Sequence, residues 1–414
     1  MGSLRLPRAR PPAPWARVVE EGEVFLDSLL RRPGEHLTPP GADFGTVGAM
    51  RSLEAGRARA LRSRSQGLGE GVRYGSVAGV VEHVVAVQAQ DASAAALGIR
   101  VRGTDVTTAQ VRRAAESERS IVRGWFMRGT LQIVPAVDFP WLLGLLGPVF
   151  LRQSERRYRE LGLDEGVCAR AEDEFTRVLA EGPATRAELT GHLADRGLPA
   201  RGQAPFHLIR RAALRGVLCH GPELDGEAAF VLLPDWLPTE HRGPKGEQAE
   251  TELALRYLRA YAPAAPEDFA TWSGLPLSVA RRVWRTLGAA GHIVECQVPG
   301  GRCALLAKTA GEADGPLGGG PADVRLLPAY DNYLVGYRSR SLSVPPAHER
   351  QVWPGGGQIR PTVLMDGLAY GTWAWRRQNN AAAVSLFGEV PDSGLTDGLA
   401  AETAAIRRFL EAGR

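Results

Sequence analysis

The order helix, helix, helix, strand hairpin recurs along the chain, and this recurrence limits the fold more than any single motif does. The copy at residues 163–243 is the clearest. "ATRAELTGHLADRG" opens at Thr185, whose hydroxyl suits a helix N-cap, and stops at Gly197. "PFHLIRRAALRGVLCHG" then reads as an arginine-bearing helix ended by Gly216, and "GEAAFVLLPDWLP" as an apolar strand entered from a Gly/Asp turn. Residues 244–310 repeat the order, with "PLSVARRVWRTLGAAGHIVECQV" running from a third helix into a strand and "PGGR" turning the hairpin back into "CALLA". A looser copy spans 46–162. Helices are expected at 51–63 and 75–88, "TTAQVRRAAESE" is a third capped near Thr107, the strands lie in "SIVRGWFMRGTLQIVP", and 136–162 form a helical connector.

Three helices followed by a two-stranded hairpin is the winged-helix plan, a variant of helix-turn-helix. The fold class expected is therefore α+β: tandem winged-helix repeats, then a strand-rich module. After the glycine linker "GPLGGGP", that module occupies 322–414, with strands in "DVRLLPAYDNYLVGYRSR", a tight turn at "MDGL", a strand in "AAAVSLFG" and a closing amphipathic helix. Residues 1–45, rich in Pro, Arg and Gly, read as a disordered extension, and Met50 is a plausible start of the folded part.

In this plan the third helix enters a nucleic-acid groove. Arg281 and Arg285 lie four apart with Arg282 beside them, while Val283, Trp284 and Leu287 turn inward. The second copy offers Arg210 and Arg211, the first offers Arg123, Arg128, Thr130 and Gln132 around its hairpin, and the last module offers Arg338 and Arg340. These form the candidate DNA-binding set; solvated helix faces used in packing are the competing account. Of 50 basic residues only Lys245 and Lys308 are lysines. Arginine forks suit phosphates and guanine edges, whereas lysine supplies a reactive amine. Cys168, Cys219, Cys296 and Cys303 show no paired spacing, and with His292 they match no common zinc pattern. No metal or cofactor is expected. Nor is a signal peptide or a membrane span, so a cytoplasmic protein is expected.

At the end of the second expected helix of the looser copy lies "VQAQD". By spacing alone, Gln88 and Gln90 read as the polar end of a helix, with Asp91 capping a local turn. A wider pattern adds to this. "VQAQDASAAALGIRVRG", "VRGWFMRGTLQIV", "LLPAYDNYLVGYRSR" and "PTVLMDGLAYGTWAWRR", in that order from about residue 50 to 412, resemble the AlkZ and YcaQ family of winged-helix DNA glycosylases. The resemblance implies tandem winged helices on duplex DNA, excision of N7-alkylated purines and, in some members, unhooking of interstrand crosslinks. Gln88 and Gln90 match the family's Gln-x-Gln signature, a form similar to self-resistance enzymes of producers of DNA-alkylating compounds. At "MRGTLQIV" many relatives read "MRGTLH", so Gln132 departs from the pattern.

The chemistry is compatible with two amides. A purine alkylated at N7 is already cationic and departs neutral, so no general acid is needed. What remains is to hold a water at C1′ and to aim negative dipole ends at a cationic sugar. Asp91 and Asp331, the latter in "AYDNY", are candidates for catalytic support, with turn capping and internal hydrogen bonding as their competing roles. Neither lysine lies near the glutamines in sequence, which points to a monofunctional enzyme that leaves an abasic site. The partner expected is double-stranded DNA with alkylated or crosslinked purines, engaged by a monomer. The rival functions are a non-enzymatic DNA-binding protein, such as a regulator, and a nucleic-acid scaffold.

Overall fold

Three small three-stranded sheets and one larger sheet organise the chain, each tied to helices that the sequence caps. The computed structural model describes residues 51–69, 73–237, 243–315, 323–388 and 394–412. The extension read over 1–45 and nearly all of the glycine linker lie outside them.

In the second segment, helices Glu165–Leu179, Arg186–Asp195 and Ala204–Leu214 precede the hairpin Leu218–Leu224 and Glu227–Leu232. A short strand, Ala184–Thr185, pairs with the hairpin's second strand. Thr185 ends that strand and begins the next helix. Its hydroxyl accepts from the Glu188 amide at 3.2 Å while the Glu188 carboxylate accepts from the Thr185 amide at 2.7 Å, a reciprocal cap. The third segment places Gly246–Tyr261, Pro266–Ser273 and Leu277–Ala289 before the hairpin Ile293–Val298 and Gly301–Leu306. Its third sheet member is the strand Arg51–Ser52, parallel to Ile293–Val298.

That pairing corrects the sequence reading of the first segment. The helix expected at 51–63 forms as Ala55–Ser65 but serves the third segment: Arg62 is buried, its Nε donating to the Pro263 carbonyl at 3.0 Å. The first segment's three helices are instead Val77–Val84, Ala92–Arg100 and Thr108–Glu116, followed by Ile121–Trp125 and Leu131–Pro135. The stretch "ASAAALGIR", to which the sequence reading assigned no helix, is the middle helix. Alanine is the best helix former, and Asp91 caps the helix by accepting from the Ala94 amide at 2.9 Å. Phe139–Glu160 is the expected connector.

In the last module four antiparallel strands run Val324–Leu327, Thr362–Met365, Leu368–Arg376, Ala381–Leu386. The turn at Asp366 and Gly367 has φ of 51° and 76°, the left-handed pair that a two-residue hairpin requires. "AYDNYLV" was expected to be strand. It leaves the sheet after Leu327 and forms the helical turn Asn332–Val335, capped by Asp331 through the Tyr333 amide at 2.9 Å. The closing helix Leu395–Glu411 buries Ile406 against this sheet and Phe409 against the first segment. Its Glu402, buried, accepts from Arg100 at 2.6 Å and from the Leu326 amide at 3.1 Å. No helix among the described residues is long and apolar enough to cross a membrane.

The deepest polar contact is the fork between Arg102 and Asp331. Nη1 and Nη2 each donate to one carboxylate oxygen at 2.8 Å, and the side chains are 1% and 0% exposed. Arg102 also donates to the Gln66 and Gly98 carbonyls and to Gln66 Oε1, each at 2.9 Å, so all five of its N–H groups have acceptors at hand. Arg102→Met should therefore destabilise the protein by about 3–5 kcal/mol in urea titration, because it strands a buried carboxylate. Arg102→Met combined with Asp331→Leu should recover most of that loss.

Two histidines, His220 buried and His83 half-buried, add a pH dependence. Burial pushes His83 down to about 4 and His220 to about 3 from the usual 6.5. The unfolded chain therefore takes up protons that the folded chain refuses as pH drops below 6.5, and stability falls with it. Between pH 6.5 and 5.5, above the carboxylate range, the loss should approach about 1.4 kcal/mol per pH unit for each histidine. The urea midpoint should drop over this window, and less steeply in His83→Gln and His220→Gln variants.

Candidate active site

The Val77–Val84 helix does not reach the glutamines. Val85 takes φ of 70°, a left-handed conformation costly for a β-branched residue, and there the chain turns out of the helix. Val87–Gln88 then forms a two-residue strand antiparallel to Leu131–Pro135, with Gln88 opposite Gln132 and the Ala89 amide donating to the Leu131 carbonyl at 2.8 Å. This corrects the expected helix end. In extended chain, residues two apart share a side, so Gln88 and Gln90 face each other without any helical distortion.

Their side chains join. Gln88 Nε2 donates to Gln90 Oε1 at 2.7 Å, and Gln88 Oε1 accepts from Nη2 of Arg128. Gln88 is 7% exposed, while Gln90 and the capping residue Asp91 lie at the surface. The pair is thus an internal carboxamide holding an external one.

The strand is gripped from behind by other segments. The Tyr261 hydroxyl donates to the Val84 carbonyl at 3.3 Å, and Asn332 Nδ2 donates to the Ala86 carbonyl at 2.6 Å. Both helpers escaped the sequence reading, because each comes from a segment more than 170 residues away. Asn332 sits beside Asp331, whose carboxylate is consumed by Arg102. Asp331 therefore positions the strand through its neighbour, and with no exposed side-chain surface it has no access to a substrate.

Around the hairpin, Gln132 is 2% exposed and donates through Nε2 to Thr130 Oγ1 at 2.8 Å, while Thr130 donates to the Met127 carbonyl at 3.0 Å. Neither is the free DNA contact expected. Gln132 lines the pair from directly across the ladder, on the same face as Gln88. Arg128 donates inward to Gln88 and, at 3.2 Å, to the Trp272 carbonyl. Arg123 is half-buried beside His220, and burial holds its guanidinium below the usual range.

The remaining arginines divide. Arg211 is buried and bound to Glu165 at 2.7 Å and to Glu172, and Arg210 donates to Ser154 at 2.8 Å; the third helix of this segment turns both inward. Arg282 pairs with Glu247 and Glu250 on the first helix of its own segment. Arg281 is exposed and pairs with Glu267 at 2.8 Å. Arg285 is exposed with no ion pair among the described residues. Arg338 is exposed too, and Arg340 lies 4.4 Å over the Trp353 ring. Of the candidate set, Arg281, Arg285 and Arg338 are thus exposed, while Arg340 is half-buried with its Nη1 donating to Glu349 at 3.2 Å, so fewer face outward than the sequence suggested. Arginines on a helix look alike in sequence whether the acid they meet lies inside or outside.

Comparison with known proteins places these features in context. The family model for DNA glycosylase AlkZ-like proteins matches residues 81–409. A curated relative from Streptomyces sahachiroi, named an interstrand DNA cross-link repair glycosylase, is 30% identical over 314 residues, which cover 72% of this chain and 82% of that protein. A solved structure, the Streptomyces sahachiroi DNA glycosylase AlkZ, aligns with a TM-score of 0.74 at 24% identity and covers 87% of this chain and 97% of that one.

Proposed function

The chain belongs to the AlkZ-like family of DNA glycosylases, and from that premise we propose that it hydrolyses the N-glycosidic bond of bulky N7-alkylated purines and of interstrand crosslinks anchored at N7. The observation that carries the reading is the Gln88–Gln90 carboxamide pair, one member internal and one at the surface, braced by Tyr261 and Asn332. A water held against C1′ by the Gln90 amide adds to the sugar as the C1′–N9 bond breaks. The base leaves neutral because alkylation has already placed a positive charge on its ring. The proton lost from the water passes to solvent. The amides contribute oriented dipoles, which can be worth roughly 2.7–4 kcal/mol in a preorganised site.

The three helix–helix–helix–hairpin segments act in this reading as tandem winged helices that clamp a duplex as a monomer. Arg281, Arg285, Arg338 and Arg340 supply phosphate contacts. Strand cleavage through a Schiff base needs an amine, and neither Lys245 nor Lys308 lies near the glutamines in sequence, so the product in this reading is an abasic site with the strand intact. Such an enzyme would protect a cell that makes its own DNA-alkylating compound.

The full-length chain, incubated with duplex carrying a single N7-methylguanine or an N7-linked crosslink and then treated with alkali, should give breaks at the lesion only. Gln88→Ala and Gln90→Ala should each slow excision roughly a hundredfold or more, leaving the affinity for undamaged duplex unchanged. Full excision by the double variant would remove the site assignment.

A further inference from the structure

We propose that Arg128 is the positioning residue of the carboxamide pair, a role that rests on the glycosylase reading above and refines its site. A guanidinium carries five donors and no acceptor. Its Nη2 lies on Gln88, so the atom it meets must be the amide oxygen. Gln88 then has to turn Nε2 toward Gln90, and Gln90 has to receive it on Oε1. Nothing else in the pair fixes this sense, since each carboxamide could turn over and exchange its donor and acceptor ends. Arg128 settles it: the Gln88 oxygen is committed inward, and the acceptor left for a water is the second lone pair of Gln90 Oε1. Gln90 is thus the residue that touches the nucleophile, and Gln88 the link that orients it.

The surroundings of Arg128 are built for this placement. Its backbone has φ of 58°, a region that residues with a Cβ rarely adopt. The turn rests on Gly274, where a Cβ would come within 3.1 Å of the Arg128 Cα and N. Gly129, with φ of 66°, makes room for Arg210, whose terminal nitrogen a Cβ would meet at 2.7 Å. A second donor of Arg128 is spent on the Trp272 carbonyl. Arginines that contact phosphate keep their forks outward; this one has both terminal nitrogens turned into the protein. Burial also lowers its proton affinity.

Two variants of the full-length chain test the assignment. Arg128→Gly removes the side chain while suiting the left-handed backbone, and Arg128→Lys keeps the charge without the fork. At saturating protein, the single-turnover rate on an N7-methylguanine duplex should fall roughly a hundredfold in Arg128→Gly. The rate of Arg128→Lys should lie close to that of Arg128→Gly. Binding to undamaged duplex, and its salt dependence, should stay unchanged in both. Arg128→Gly combined with Gln88→Ala should be no slower than Gln88→Ala alone.

The Gln88 side-chain amide, followed by proton–nitrogen NMR on glutamine-labelled protein, should be protected from exchange in the parent chain and lose that protection in Arg128→Gly. A full rate with weakened binding and a salt slope shallower by about one would make Arg128 a phosphate contact and overturn the proposal. So would an unchanged Gln88 amide, or a rate loss that adds fully to that of Gln88→Ala. Absence of excision by the parent chain would defeat the glycosylase reading alone, because the amide measurement decides the role of Arg128 without any turnover.

Discussion

The placement of the glutamines depends on a charge pair with no contact to either of them. Arg102 and Asp331 lose their hydration almost completely, a cost repaid only because both carboxylate oxygens and every guanidinium N–H find partners. Through Gln66 the pair grips the end of the Ala55–Ser65 helix, through Arg102 the first segment and through Asp331 the last module. Asp331 also caps the turn that begins at Asn332, and Asn332 holds the carbonyl of Ala86, two residues before Gln88. The chain from ion pair to cap to amide to strand is continuous. The exposed carboxamide therefore stands on a rigid interior, as a site that relies on aimed dipoles requires.

The scarcity of lysine takes on a second meaning here. Arg62, Arg100, Arg102 and Arg211 are all buried, and each makes fixed hydrogen bonds to carbonyls or carboxylates from distant parts of the chain. A planar fork can satisfy several acceptors at once, as Arg102 does with all five of its N–H groups, which an ammonium on a flexible stem does less well. At these four positions arginine serves as internal scaffolding rather than as a nucleic-acid contact. Of the candidate DNA-binding set, the exposed members are Arg281 and Arg285 on the third helix of the third segment and Arg338 in the last module.

That division explains what could be read from the sequence. The caps at Thr107 and Thr185, the helix ends at Gly197 and Gly216 and the turn at Asp366–Gly367 are local, and each rests on side-chain chemistry legible within a few residues. The hairpins followed for the same reason, and so did the family. The failures were long-range. "VAGVVEHVVAVQ" is apolar at both helical and strand spacing, and only pairing with Leu131–Pro135, some 45 residues later, together with the strained Val85, makes its end a strand. Likewise, nothing local reveals that Arg51–Ser52 joins the third segment's sheet, or that "AYDNY" leaves its own. The Gln88 and Gln90 side chains do meet, but on a local geometry other than the expected helix end; the extended chain brings them together more simply than a frayed helix would.

Why the pair should be neutral follows from where it sits. A carboxylate at position 88 would meet Arg128 as a buried ion pair, with both oxygens drawn to the guanidinium and no donor left for residue 90. The link between interior and surface would then be broken. A carboxamide carries an acceptor at one end and a donor at the other, so it can pass orientation from a cation on one side to a second amide on the other. It also does so without the desolvation cost of a buried charge. On a substrate whose lesion has already weakened its own glycosidic bond, the strength of a carboxylate is dispensable and direction is not. Gln-x-Gln on an extended strand, with an arginine behind it, is a minimal way of supplying direction alone.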